Sequence, residues 1–263
     1  MLQKSDNGKN MNTIKVTIKD KTAIIGLDRG RSNAINAEMV QELSELIRSI
    51  EKDDNIGGLI LTGKEGFFSA GLDLIELYDY DEIKIRKFWE DFLKLVGLLA
   101  SFKKPFLTAI SGHSPAGGCV FAICSDYRIM VSGKYIIGLN EIPVGIIVPE
   151  SIFHLYSFWL GEAKAYRYLL EGKLLTTQEA LENKLIDEVV EEGGLVTAAE
   201  RQMHKYLQLD RITWQQSKLN LRRELLSKVN VDHNDSLDLM LKQWWSPSTR
   251  SILNTIIQNL QKK

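Results

Sequence analysis

The stretch FLTAISGHSPAGGCVFAICSDYRIMV, residues 106–131, says most about the architecture of this chain. Residues 106–110 form a continuous apolar run too short for a helix, so they read as a strand buried on both faces. The Gly-containing turn Ser114-Pro115-Ala116-Gly117-Gly118 follows, and residues 119–124 read as an apolar helix. Residues 127–131 and then 135–138 return to short strands, just ahead of Glu141. Buried strands alternating with helices belong to an α/β core, because a strand apolar all round needs cover on both sides.

The same alternation extends outward. Residues 13–18 alternate through Ile14, Val16 and Ile18, turn at Asp20-Lys21 and continue as the apolar run 22–27, a strand pair. Asn36 is a suitable N-cap for a helix whose stripe is Met39, Val40, Leu43, Leu46, Ile47 and Ile50. GLILT at 58–62 reads as another buried strand, and residues 82–100 place Ile85, Phe88, Trp89, Phe92, Val96 and Leu99 at helical spacing. Thr176 and Glu179 fit a capping box ahead of residues 180–185. From about residue 195 the pattern is helical, with breaks near 230–234 and at Ser246-Pro247. These features divide the chain into a disordered polar lead at 1–11, an α/β core at 12–194 and a helical oligomerisation region at 195–263.

With 263 residues and a net charge of −1, composition gives no reason to expect nucleic acid or an anionic membrane as partner. The helix over 38–52 carries four glutamates against one arginine and one lysine, the wrong sign for phosphate. The longest apolar run, 145–160, is interrupted by Glu150 and His154 and is too short to span a bilayer. Cys119 and Cys124 suggest buried free thiols in a reducing compartment, taken here as cytoplasmic. His154, His204 and His233 have no ligand spacing, so no metal is expected.

Chemistry concentrates in two turns between strand and helix, SAGLD at 69–73 and PAGGC at 115–119. The first N–H groups of a helix are unpaired and point outward, and small residues let a ligand approach them. Two converging N–H groups make an oxyanion hole. Glu141 follows in an apolar setting, where Leu139, Ile142, Val144 and Ile146 are expected to desolvate it and strengthen it as a base.

The strings SAGLDL (69–74), PAGGC (115–119), CSDYRIM (124–130) and YIIGLNEIPVGII (135–147), with RGRSNAIN (29–36) before them, resemble the crotonase, or enoyl-CoA hydratase/isomerase, family in order and spacing. The match covers residues 13 to 190. Within the family it is most similar to the delta-3,delta-2-enoyl-CoA isomerase group, which shares the IGLNE and GII-x-P strings. The resemblance implies a crotonase-like fold of repeated β-β-α units in two sheets with a C-terminal helical trimerisation region, and an acyl-CoA thioester as substrate. It implies a homotrimer or hexamer, and no cofactor, coenzyme A being part of the substrate.

Carried over onto this chain, the family's thioester-binding N–H groups are those of Leu72 and Gly117, and its base is Glu141. Ala70, Gly71, Asp73 and Leu74 belong to the substrate-contacting turn, Asn140 contacts substrate beside the base, and Ala34 touches pantetheine. Arg29 and Arg31 are both candidates for the nucleotide phosphates, and Lys262 and Lys263 resemble basic ends that reach a neighbouring subunit's nucleotide. Read by itself, Asp73 serves equally as a helix cap, His113 as a hydrogen-bonded structural residue, and Trp244-Trp245 as packing with an acyl tunnel as the lesser reading. The chain departs from the hydratases at Val120, where they place a second glutamate. One carboxylate suits isomerisation of a 3-enoyl-CoA to the 2-trans isomer. The rivals are hydration, another one-carboxylate reaction such as thioester hydrolysis, a silent acyl-CoA-binding protein, and an RNA-binding role.

Overall fold

A computed structural model describes residues 11–262, so the expected lead lies outside the described residues up to residue 10, as does Lys263. Among the described residues ten strands occur: β1 (Ile14–Lys19), β2 (Thr22–Leu27), β3 (Gly58–Thr62), β4 (Gly66–Phe67), β5 (Phe106–Ile110), β6 (Gly112–Pro115), β7 (Tyr127–Val131), β8 (Ile136–Gly138), β9 (Leu174–Thr176) and β10 (Glu188–Val190). Between and after them run α1 (Ala37–Lys52), α2 (Leu74–Tyr78), α3 (Glu82–Ala100), α4 (Gly117–Ile123), α5 (Glu150–Leu160), α6 (Glu162–Glu171) and α7 (Thr177–Glu182). The C-terminal helices are α8 (Leu195–Leu207), α9 (Arg211–Leu221), α10 (Arg223–Val229), α11 (Asn234–Trp244) and α12 (Pro247–Gln261).

The strands form two sheets. The larger has the order β1-β2-β3-β5-β7-β10, parallel throughout except for the β1/β2 hairpin. Its inner strands are apolar all round because both faces are covered. Leu59, Leu61, Phe106 and Ile110 face the main core, while Ile60, Leu107 and Ala109 face Ala198, Ala199 and Met203 of α8. Packing therefore runs on across residue 195, and α10, α11 and α12 add Val229, Leu237, Met240, Trp244 and Leu253 to the main core. The strand pair expected at 13–27 is present, but at its edge alternation does not bring burial. Ile14 is buried, while Val16 and Ile18, on the same face opposite Ile25 and Ala23, are 38% and 37% exposed, because β1 is the edge strand of the sheet.

The smaller sheet has the order β4-β6-β8-β9, with β4, β6 and β8 parallel and β9 antiparallel to β8. Three parallel strands thus end side by side, and they lead into residues 69–73, 116–118 and 140–141 respectively.

Local signals explain the helix starts. The Asn36 side chain accepts the Met39 N–H at 3.0 Å, Asp81 caps α3, and the Thr176–Glu179 capping box opens α7. Trp244 is buried in the core and Trp245 packs against it, so the pair serves packing.

A buried ionic cluster joins the C-terminal helices to the larger sheet. Asp126 accepts the Phe106 N–H at 2.8 Å and the Lys218 ammonium at 2.7 Å, and its other oxygen lies 3.1 Å from the Arg222 guanidinium. Lys218 and Arg222 are 7% and 5% exposed. Removing the shared anion would leave two buried cations unbalanced, so Asp126→Ala is expected to cost about 3–5 kcal/mol in urea denaturation. A loss below about 1 kcal/mol would mean that water screens the cluster as it does a surface pair.

Candidate active site

The first turn, residues 69–73, is shaped by the loop that precedes α1. Ile35 donates to the Gly71 carbonyl at 2.8 Å and accepts from Asp73 N–H at 2.9 Å, while Ala70 N–H donates to Ser32 at 2.8 Å. The Ser69 hydroxyl donates to the Asn33 carbonyl at 2.8 Å, and the Asn33 amide reaches the Phe68 carbonyl at 3.1 Å. Gly71 has φ +88°, and a Cβ there would stand 3.0 Å from Ala116 Cβ and 3.3 Å from Gly117 N. Glycine is needed both for the conformation and for the approach of the second turn.

The second turn is held by β8. Ala116 N–H donates to the Gly138 carbonyl at 2.8 Å, and Ala116 takes φ +47°, ψ −121°, which a residue with a Cβ adopts only at a cost of about 1–3 kcal/mol. That conformation starts α4 at Gly117. Among the described residues, neither the Leu72 nor the Gly117 N–H donates to a protein acceptor, although both residues line one cavity.

Glu141 lines the same cavity. It is 7% exposed, and its Oε2 is buried without a hydrogen-bond partner. Burial pushes its pKa up from 4.5 to about 7, opposed only by its own backbone N–H. Among the described residues no cation offsets this. Cys119 and Tyr156, whose charged forms Glu141 opposes, are themselves shifted upward chiefly by burial and stay neutral at neutral pH. Val120 forms part of the wall, and Asn140 places a buried, unpartnered Oδ1 at the cavity. The space measures about 100 Å³, less than the ~150 Å³ that holds a benzene ring.

Of the residues expected at the site, Ala70, Leu72, Leu74, Gly117, Asn140 and Glu141 meet at this cavity. Gly71 lies just behind it, supporting the contact between the turns. Asp73 does not line it: one oxygen caps α2 by accepting the Glu76 N–H at 3.0 Å, and the other accepts from Arg29 at 2.6 Å. Arg29 also bonds Glu76 at 2.9 Å and the Ala34 carbonyl at 3.0 Å, so this candidate phosphate ligand is already neutralised. Arg31 is exposed, as is Lys262.

The expected desolvating shell is partly different. Val144 and Ile146 line the cavity, but Leu139 is in the core and Ile142 is 40% exposed, turned outward by the 3-10 turn at Ile142–Val144. Trp89 and Phe92 of α3, which in the sequence show only as a core stripe, complete the apolar wall. Asn33 and Ser69 brace the first turn, a part in shaping the site that sequence reasoning missed; RSNAIN and SAGLD held the residues but not their pairing. His113 packs between Phe67 and Tyr135 at 5.2 and 5.1 Å, with Nδ1 unpartnered rather than hydrogen-bonded as expected. Among the described residues no group of three potential metal ligands lies together, and no helix is long and apolar enough to cross a membrane.

Known proteins resemble the chain in both sequence and structure. The enoyl-CoA hydratase/isomerase family matches residues 17–243. The mouse protein named Enoyl-CoA delta isomerase 1, mitochondrial, is 36% identical over 247 residues, covering 92% of this chain and 84% of that protein. A probable enoyl-CoA hydratase of Rhizobium meliloti is 30% identical over 188 residues, covering 71% of this chain and 72% of that protein. The crystal structure of human mitochondrial delta3-delta2-enoyl-CoA isomerase superposes with a TM-score of 0.91 at 27% identity, covering 95% of this chain and 99% of that one.

The buried carboxylate has a measurable consequence. Below about 4.5 the group is neutral whether the chain is folded or not, and burial carries no charge penalty. As pH rises through about 7 the folded chain must hold a buried anion, so the stability of the neutral form is lost across that window. Glu141→Gln stays neutral throughout. Its stability relative to the parent is expected to grow by about 2–3 kcal/mol between pH 5 and pH 8.5 in denaturant titrations. A difference independent of pH would mean the carboxylate is solvated.

Proposed function

This chain belongs to the enoyl-CoA hydratase/isomerase family, and from that membership we propose that it isomerises 3-enoyl-CoA thioesters to 2-trans-enoyl-CoA through a single carboxylate, Glu141. The observation that carries the reading is the cavity itself. It brings a carboxylate whose Oε2 has no partner together with two backbone N–H groups that have no protein acceptor, and Val120 stands in its wall.

The chemistry arises from those parts. The thioester oxygen accepts from the Leu72 and Gly117 N–H groups, with Ala70, Leu74 and Asn140 against the acyl carbons. Glu141 removes a proton from C2, and the electron pair spreads through C1 onto the thioester oxygen and, on the other side, through the C3–C4 double bond to C4, as a dienolate. Two N–H donors stabilise that charge; loss of one such donor typically costs about 2.7–4 kcal/mol. The protonated Glu141 then returns the proton to C4, leaving the double bond between C2 and C3. A base with a pKa near 7 suits both halves, since it is half ionised at neutral pH and its acid form can give the proton back.

Hydration asks for more. It needs one carboxylate to activate water and another to deliver a proton, and an apolar Val120, 1% exposed, offers neither a second acid nor a seat for that water. The small volume fits the reacting carbons, with the nucleotide outside. Two buried free thiols support a reducing compartment; the mouse relative's name is mitochondrial, so the cytoplasmic expectation narrows to that statement. Leu209, Ile212, Leu221 and Leu239, all more than half exposed in the C-terminal helical region, support the homotrimer or hexamer.

The test runs both reactions side by side on purified protein, following conjugated product and 3-hydroxyacyl-CoA. Isomerisation is expected to exceed hydration by about 100-fold or more, the contribution of one missing acid–base group. Its kcat/KM should rise with pH through a midpoint near 7, because the free enzyme must present the ionised base. Comparable rates for the two reactions would make the protein a hydratase despite Val120. With Glu141→Gln, turnover should fall by at least about 100-fold while acyl-CoA still binds; turnover within tenfold of the parent would exclude Glu141 as the base.

A further inference from the structure

The loop that begins at Glu141 is fastened from the far end of the chain. After the 3-10 turn, Gly145 takes φ +79°, and its N–H closes the turn on the Ile142 carbonyl at 2.9 Å. From there to Pro149 the backbone has no regular structure, so its position depends on what grips it. The Thr249 hydroxyl donates to the Gly145 carbonyl at 3.0 Å and accepts from the Gln243 amide at 3.0 Å. Thr249 is fully buried, and a Cβ at Gly145 would come within 2.9 Å of its hydroxyl, so the two surfaces are in direct contact. Ser246 caps α12 by accepting the Thr249 N–H at 3.3 Å, which sets the rotation of the helix.

One residue later, Arg250 donates to the Tyr78 carbonyl at 3.0 Å and stacks on the Tyr78 ring at 3.4 Å. Tyr78 ends α2, the helix just beyond Leu72. The first turn of α12 therefore touches both halves of the site, the base side through Thr249 and the N–H side through Arg250.

We propose that Thr249 is a positioning residue that holds the Glu141 loop at the depth where the carboxylate faces the cavity shielded from water. The proposal rests on the reading of Glu141 as the base. Thr249 lies outside the cavity lining and acts only through the loop. Losing its hydroxyl strands the Gly145 carbonyl, frees the loop and lets water reach Glu141. Cys119 on α4 and Tyr156 on α5 are the titratable groups that sense Glu141, and no charged side chain of α3, α6 or α12 contributes to its ionisation. Solvation is then the variable that Thr249 controls.

The experiment compares Thr249→Val, which keeps the shape and removes the hydroxyl, with Thr249→Ser, which keeps the hydroxyl. Two quantities are read: the Glu141 carboxyl titration by 13C NMR on glutamate-labelled protein, assigned by its loss in Glu141→Gln, and kcat and KM for 3-enoyl-CoA. In Thr249→Val the Glu141 midpoint is expected to drop by at least about half a pH unit as water enters. Its kcat should fall by about fivefold to tenfold at little change in KM, the effect of one hydrogen bond. Thr249→Ser should restore both. An unchanged Glu141 titration in Thr249→Val, or equal defects in the valine and serine variants, overturns the proposal. The titration needs no turnover, so a parent protein without isomerase activity would sink the proposed function and leave the positioning claim to be decided by NMR. Should Thr249→Val fail to fold, Thr249→Ala set against Thr249→Ser, a pair that differs only in the hydroxyl bonded to Gly145, carries the same expectation and the same refutation.

Discussion

The pairing of β6 with β4 on one side and β8 on the other sets the distances among the parts of the site. Parallel neighbours lie about 4.8 Å apart, so the segments leaving their C-terminal ends are brought together before any side chain is chosen. In this chain those segments are a turn with Gly71, a turn with Ala116 and Gly117, and the Asn140-Glu141 pair. The contact between the two turns leaves little room for a Cβ at Gly71, whose φ of +88° also disfavours one, and the Ala116 to Gly138 hydrogen bond locks the second turn to the strand that carries the base. These constraints put two unpaired N–H groups and one carboxylate on a single apolar space.

The carboxylate is the expensive part of this arrangement. A surface glutamate would be solvated and a structural buried one would be paired, but Glu141 is neither. Its cost is tolerated because the core around it is large and continuous, running from the sheets through Trp89 and Phe92 to the C-terminal helices. The same burial raises its proton affinity into the range where one group can both take and return a proton. The stability lost by ionisation and the proposed chemistry share this origin.

Much of this architecture is legible in the amino-acid sequence. The buried strands at 58–62 and 106–110 stand out because a sheet covered on both faces demands unbroken apolar runs, and the helix caps at Asn36 and Thr176 obey local rules. Ala70, Leu72, Gly117, Asn140 and Glu141 are found through motif order, and they do meet at the cavity. Of the smaller sheet, β8 shows in the sequence as the short strand at 135–138, but β4 with two residues and β9 with three are too short for any periodicity, so the second sheet itself comes only from the family resemblance. Ile142 is misplaced because apolar character next to Glu141 does not say which way a 3-10 turn points it. Arg29 looks free for phosphate because its partners Asp73 and Glu76 lie far along the chain. The roles of Asn33, Ser69 and Thr249 are pairings across long separations, which a single sequence does not encode in any local pattern.

In the proposed chemistry one shielded carboxylate carries the same proton from C2 to C4. The most direct measurement gives the protein 3-enoyl-CoA bearing deuterium at C2 in ordinary water and locates the label in the product after a single turnover. A buried base whose Oε2 has no partner among the described residues exchanges slowly with solvent, so a measurable share of the deuterium removed from C2 should appear at C4. Product whose C4 hydrogen comes wholly from solvent, even in a single turnover, would mean that a second group or water delivers the proton, and the single-carboxylate account would be contradicted.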